Sequence, residues 1–437
     1  MLPPHRILLV TFGSRGDVHP FLAVAAALRE RGAEAIVAAP RMHEAAVRGA
    51  SVRYVEAFRA TDLSGLLGGE RVLARRGGRM TIYGAIAEGV PAHVAELRAL
   101  LRGERIDCVL THPFALGTAW ASEEEGVPWG TVALSPMAWY ARTDPVPLVQ
   151  RRPGRLRFIA GRAVDRMMRR SVRWVGSAML NPLRRRCGLP AWRRCFERTI
   201  HGGRINLGLW SPRFRGPGGK DPADSQIVGF ARWDEAQRGL EGSSGRGAEE
   251  ATVPSGAAIR DRGGERPRLV VSLGSTAVHV GGPIFAAAVA AIERLGWSAL
   301  VLAGSGAGAV GTRSGSIRVE PYAPLAECLV GADLFIHHGG IGSIAEALHA
   351  GVPSVAIPHA FDQHHNALHL VRLGLGAMLS RREVNADRLA ALLRRIAEDR
   401  GFAERASEFA RQIRREDGAA AAAEAALRLA RQPRSPR

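Results

Sequence analysis

Short apolar runs and helix-like stretches alternate through this chain, and glycine-bearing polar loops join them. Residues 6 to 11 (RILLVT) read as a buried strand, GSRGDVH as the loop after it, and FLAVAAALRER as a helix closed by Gly32, with Pro20 at the first-turn position that proline favours. A second buried strand, EAIVAA, ends at Pro40, so the opening predicts a βαβ unit and a parallel sheet with helices on its faces. The rhythm continues with IDCVLTH (106–112) before ALGTAWASEEEG, and with VPWGTVAL (127–134) before SPMAW. Residues 151–204 turn helical and arginine-rich, with Met167, Met168, Val172 and Val175 near helical spacing, and RINLGLW and SQIVGFA read as the last short strands of this half. Residues 236–266 carry many Gly, Ser, Arg and Glu and almost no large apolar side chain, the pattern of an exposed linker of disordered composition. Strand patterns then restart with RLVVSLGST (268–276) and continue through SALVLAG, IRVEPY, DLFIHHGG and PSVAIP to the helical NADRLAALLRRIAED and a last alanine-rich helix. The expectation is an α/β chain of two doubly wound halves, 1–235 and 267–415, with the linker 236–266 between them and a helix and tail at 416–437, and with a ligand in the cleft between the halves.

At 437 residues the chain has room for two cores, and its 46% apolar and 23% charged content is that of an ordinary globular protein. A formal charge of +19 invites a nucleic-acid reading, but Lys220 is the only lysine and the arginines are spread along the whole length, so no nucleic-acid partner is expected. A basic surface would still suit anionic lipid or phosphate-bearing ligands. Cys108, Cys187, Cys195 and Cys328 share no CxxC spacing, which argues against a zinc site or a disulfide framework. The apolar run ILLVTF is too short for a signal-peptide core, and no run reaches the length of a membrane span. The expected location is the cytoplasm, with peripheral contact to the inner membrane face as an option.

Three polar loops of the second half follow strands, where a doubly wound sheet holds its ligands: Gly274-Ser275-Thr276, His337 to Ser343, and His359 to Gln363. In the middle loop Gly339, Gly340 and Gly342 allow close backbone approach, and a helix beginning near Ile341 aims free N–H groups and its positive dipole end at the ligand. With Ser343 and His338 beside them, these groups suit a diphosphate. Asp362 and Gln363, at the mouth of the next helix, offer acceptor and amide groups of the kind that hold sugar hydroxyls. The plainer alternative, tight turns with surface histidines, fits a lone Gly-Gly better than this joint spacing.

HGGIGSIAEALHAGVPSVAIPHAFDQHHNA resembles the donor-binding motif of family 1 glycosyltransferases, enzymes of the GT-B fold. The resemblance implies phosphate contacts from His338 and Ser343, a ribose contact from Glu346, sugar contacts from Asp362 and Gln363, and base stacking by Tyr322. Plant members place a glutamine where Leu325 stands, so the base and ribose contacts differ here. TFGSRGDVHPFLAVAAAL resembles the acceptor-side loop of the same superfamily, in the form with aspartate at position 17 that bacterial antibiotic and sterol glucosyltransferases and rhamnolipid-building rhamnosyltransferases carry. Residues 60–260 show no such likeness.

The resemblance makes Asp17 the general base of an inverting transfer, with Gly16, His19, His112 and Phe114 as acceptor-side candidates. An aspartate between a glycine and an apolar helix start is otherwise a helix cap, His19 is a second candidate base, and His112 reads equally well as a structural histidine. No Asp-x-Asp signature is placed to hold a metal, so the implied reaction needs neither metal nor cofactor, only a nucleoside-diphosphate sugar as co-substrate and a small hydrophobic or lipid acceptor. The basic segment 151–175 reads as an acceptor wall, a lipid contact or a packed helix with a solvated face. Three rivals stand beside this reading. An oxidoreductase lacks its G-x-G-x-x-G spacing and an acid after AIVAAP, whereas a sugar-nucleotide epimerase or a non-catalytic nucleotide-sugar binder would share the architecture.

Overall fold

The computed structural model describes residues 3–63, 65, 78–139, 155–218, 221–233, 268–274, 281–304 and 316–434. The expected linker 236–266 lies outside the described residues, as do Ser275 and Thr276. The chain divides into two compact units, one of residues 1–67, 75–233 and 417–437 and one of residues 68–74 and 234–416.

The first unit holds a seven-stranded parallel sheet. Its strands are β1 (Arg6–Val10), β2 (Glu34–Ala39), β3 (Arg53–Glu56), β4 (Cys108–Thr111), β5 (Trp129–Ala133), β6 (Asn206–Gly208) and β7 (Ser225–Ile227), in the spatial order 3-2-1-4-5-6-7. Its helices are α1 (Arg15–Glu30), α2 (Glu44–Gly49), α3 (Gly78–Gly103), α4 (Thr118–Glu124), α5 (Arg155–Arg186) and α6 (Cys195–His201). Central strands such as Ile7–Val10 are fully buried because helices cover both faces, which is why they read as unbroken apolar runs.

The second unit repeats the plan with six parallel strands: β8 (Arg268–Ser272), β9 (Ser298–Leu302), β10 (Ile317–Glu320), β11 (Leu334–His337), β12 (Ser354–Ala356) and β13 (Gly376–Met378), in the order 10-9-8-11-12-13. Its helices are α7 (Gly282–Leu295), α8 (Leu325–Cys328), α9 (Ile341–Ala350), α10 (Gln363–Arg372), α11 (Ala386–Glu398) and α12 (Arg400–Ile413). The last helix, α13 (Gly418–Ala430), belongs to the first unit and packs against α1. All four cysteines are buried and free.

One local expectation is corrected. Pro20 lies inside α1, which begins at Arg15, five residues before it. Ser14 and Asp17 start the helix early through a reciprocal capping box. The hydrogen bond that Pro20 forfeits would have gone to the carbonyl of Gly16, which is exposed to water.

Candidate active site

Each sheet reverses its strand order at one place, between β1 and β4 in the first unit and between β8 and β11 in the second. Loops leaving adjacent strands toward opposite faces open a crevice at the carboxyl ends, where such sheets hold ligands. Both candidate loop pairs stand at these points.

In the first unit the loop after β1 folds its aspartate back on itself. Oδ2 of Asp17 accepts from the Ser14 amide at 2.7 Å and from the Ser14 hydroxyl at 2.9 Å. The fold-back requires glycine at position 13, because its φ is +134° and a Cβ there would lie 2.3 Å from Asp17 Oδ2. A third of the Asp17 side chain stays open to solvent, and Oδ1 faces Nε2 of His112 at 3.8 Å. Burial among its neighbours raises the Asp17 carboxyl above the usual range, opposed by the two Ser14 hydrogen bonds and by the charge of His43. The aspartate is therefore the N3 partner of the Ser14 cap and a carboxylate of raised basicity at once.

His112, one residue beyond β4, is 6% exposed, and burial drives its pKa down to about 3. Its Nδ1 accepts the Phe114 amide at 3.2 Å, so the neutral ring carries its proton on Nε2, the nitrogen facing Asp17. Phe114 is 38% exposed and its ring lies 5.5 Å from that of His112. Gly16 is exposed and His19 half-buried on the first turns of α1.

Sequence reasoning missed His43. It follows β2 in a single 3-10 turn, is 2% exposed, and donates from Nε2 to the Gly13 carbonyl at 3.0 Å, tying the Asp17 loop to the neighbouring strand end. Burial lowers its pKa, with its bond to Gly13 and the charge of Asp17 opposing. Its position just after a strand, on the same rim as Asp17, was the available signal.

In the second unit the imidazole of His338 is held between two glycines. A Cβ on Gly274, whose φ is +72°, would lie 2.5 Å from its Cε1, and one on Gly340 would lie 2.4 Å from its Nε2. Burial first, and then the charge of His359, lowers its pKa to about 3, so the ring is a neutral N–H donor. The adjacent His337 is structural: its Nδ1 accepts the Gly339 amide at 2.9 Å and its ring stacks on Phe335. Gly340 caps α9 in extended conformation, and Ser343 and Glu346 follow on its first turns, both half-buried. Gly342 is exposed with open space around it, so close approach is needed at positions 339 and 340 and not there.

Gln363 has less to offer than its residue type implies. Its Oε1 accepts the amides of His359 at 2.8 Å and Ala360 at 2.9 Å, which closes the loop before α10 and leaves the side-chain amide as the group for a ligand. Asp362 accepts from Asn366 through Oδ2 at 2.7 Å, and Asn366 also reaches the Gly339 carbonyl at 3.2 Å, joining this loop to that of His338. Tyr322, two residues beyond β10, is 53% exposed.

Residues 301–425 match the model described as erythromycin biosynthesis protein CIII-like, C-terminal domain. O-mycaminosyltylonolide 6-deoxyallosyltransferase of Streptomyces fradiae is 31% identical over 425 residues, which cover 94% of each chain. The chain belongs to the family 1 GT-B glycosyltransferases. The glycosyltransferase shares its fold with the crystal structure of the glycotransferase of kitacinnamycin (24% identity, TM-score 0.72, 98% of this chain and 99% of that one). It shares it also with a spinosyn rhamnosyltransferase complexed with thymidine diphosphate (20% identity, TM-score 0.67, 96% and 99%).

Proposed function

We propose that this enzyme moves a hexose from a nucleoside-diphosphate donor to a hydroxyl of a natural-product acceptor, with inversion at the anomeric carbon and without a metal ion. The observation that carries the proposal is the Asp17 carboxylate. Its Oδ2 is occupied by Ser14, its Oδ1 faces His112, and burial raises its proton affinity. Oδ1 takes the proton of the acceptor hydroxyl as that oxygen attacks the anomeric carbon. The bond from that carbon to the diphosphate oxygen breaks, and the nucleoside diphosphate leaves with the electron pair. The neutral His112 keeps Nε2–H turned toward Oδ1 and adds no charge that would depress the basicity of Asp17.

On the donor side the first turn of α9, the Ser343 hydroxyl and a neutral His338 N–H face charge growing on the leaving diphosphate, and a dinegative ligand would itself raise the His338 pKa. That set of donors supports turnover that survives chelation. The relative's name points to a polyketide-type acceptor, and the thymidine diphosphate in the rhamnosyltransferase complex favours a dTDP-linked donor over a UDP-linked one. Tyr322 serves as the base platform, Glu346 the ribose, and Asp362 with the Gln363 amide the sugar.

The test is donor consumption with dTDP- and UDP-sugars and a pool of hydroxylated polyketides, with and without EDTA. Asp17→Asn is expected to retain nucleotide binding and lose about two to four powers of ten in turnover. An epimerase would give a new nucleotide sugar without any acceptor, and unchanged turnover in the variant would remove Asp17 from the role of base.

A further inference from the structure

Helix α5 carries an exposed apolar surface outside the residues named above for the transfer reaction. It contains ten arginines and a single acidic residue, Asp165, in 32 residues. Its second half is packed on one side only: Leu180, Leu183 and the following Cys187 are buried, Gly176 lies against the Phe196 ring, and the Ser177 hydroxyl accepts the Phe196 amide at 3.1 Å. At about 100° per residue, Met167, Trp174 and Ala178 form a line on the opposite side, with Val175, Met179 and Val172 along one flank. All six are exposed, Met167 by 61% and Trp174 by 73%.

Charge of one sign borders this stripe. Exposed Arg170 runs along its other edge, and exposed Arg185 and Arg186 close its end. Arg173 lies further round and is partly neutralised by Glu197 at 3.6 Å. The second half of α5 packs on α6, where Phe196 meets Gly176 and Ser177.

We propose that this face of α5 docks on an anionic lipid bilayer, with Trp174, Met167 and Val175 entering the headgroup boundary and Arg170, Arg185 and Arg186 meeting lipid phosphates. An apolar stripe with a tryptophan, flanked by arginine and free of acid among its described residues, is the pattern of a helix lying in an interface. No helix among the described residues is long and apolar enough to cross a membrane, so the contact is peripheral.

Vesicle flotation of the full chain tests this, with phosphatidylcholine alone and with phosphatidylcholine plus phosphatidylglycerol, at low and high salt. The expected result is flotation with the phosphatidylglycerol vesicles only, weakened by salt. Arg170→Glu with Arg185→Glu should lower binding by at least about fivefold per arginine. Met167→Ser with Trp174→Ser should abolish it, while circular dichroism and turnover of a soluble acceptor stay at wild-type level. Trp174→Phe separates the blue-shifted, lipid-quenched emission of that residue from the other tryptophans. Absence of flotation, or flotation untouched by the Met167 and Trp174 changes, would overturn the proposal. So would a concentration-dependent dimer that the same changes dissolve, because the face would then belong to a second copy of the chain.

Discussion

At the scale of single residues, Asp17 sits under opposing influences that a pH profile can separate. Burial raises its pKa, and the Ser14 amide and hydroxyl lower it. Ser14→Ala deletes one of the two lowering bonds, so the acid limb of the kcat/KM profile, already above the ordinary carboxylate range, should move to still higher pH; a limb that stays in place would show that Asp17 does not set it. The same shift has a sign for stability. A carboxyl whose folded pKa is raised adds stability below its unfolded pKa and loses it as pH rises through the folded value. Asp17→Asn, which escapes that loss, should therefore melt no lower than wild type at mildly alkaline pH and lose any advantage in acid, as a pair of thermal melts would show. The sequence carried the residue type and its helix-start context, but not this balance. Asp17 read as a candidate cap, whereas in the structure Ser14 is the N-cap and Asp17 its N3 partner, and His112 and His43 arrive from other strand ends.

At the scale of elements, the loop after β8 and the loop after β11 are one unit, because Gly274 and Gly340 both back onto the His338 ring. Gly274→Ala faces two penalties, a left-handed φ of +72° and a Cβ 2.5 Å from Cε1, so it should destabilise the protein by about 1–3 kcal/mol and weaken nucleotide binding at least tenfold. Gly342→Ala, with nothing within 4 Å of its added Cβ, is the matched control and should bind as wild type in the same titration. The strand-to-helix loops were readable from the alternation of strand and helix patterns and from glycine spacing; β2, read as EAIVAA, occupies Glu34–Ala39 in the structure. Of the edge strands, β7 and β10 were read within SQIVGFA and IRVEPY, whereas β3 and β13 were not. β3 is four residues starting with an exposed Arg53, and β13 is the three residues Gly376–Met378, so neither presents an apolar run. Helix α3 was hidden for another reason, since Gly84, Gly89 and Pro91 interrupt its pattern while Val90, Val94, Leu97 and Leu101 pack it into the core.

At the scale of the whole molecule, the chain ends by returning to the unit in which it began. Helix α13 buries Ala422, Ala423, Ala425, Ala426 and Leu429, and small side chains let it approach α1, β1 and β4 closely. A Cβ on Gly418 would lie 2.3 Å from the Gly229 carbonyl, the Ala426 carbonyl accepts from the Cys108 thiol, and Arg434 donates to the Ile106 carbonyl at 2.7 Å. Composition alone gives an alanine-rich helix without saying which half it covers, because alanine patterning is equally compatible with any close-packed neighbour. Removing residues 417–437 would open the outer face of α1 and β4 to water, a loss on the order of 5 kcal/mol or more. The second unit keeps its six-stranded sheet, the helices of its described residues and its candidate donor loops in that truncation. A scanning calorimeter should therefore record the transition of the first unit lowered by many degrees or absent, while added thymidine diphosphate still raises the transition of the second. Loss of nucleotide binding together with the first unit would mean that the donor loops depend on the unit that carries Asp17, and the two sites could not then be assigned to separately folding halves.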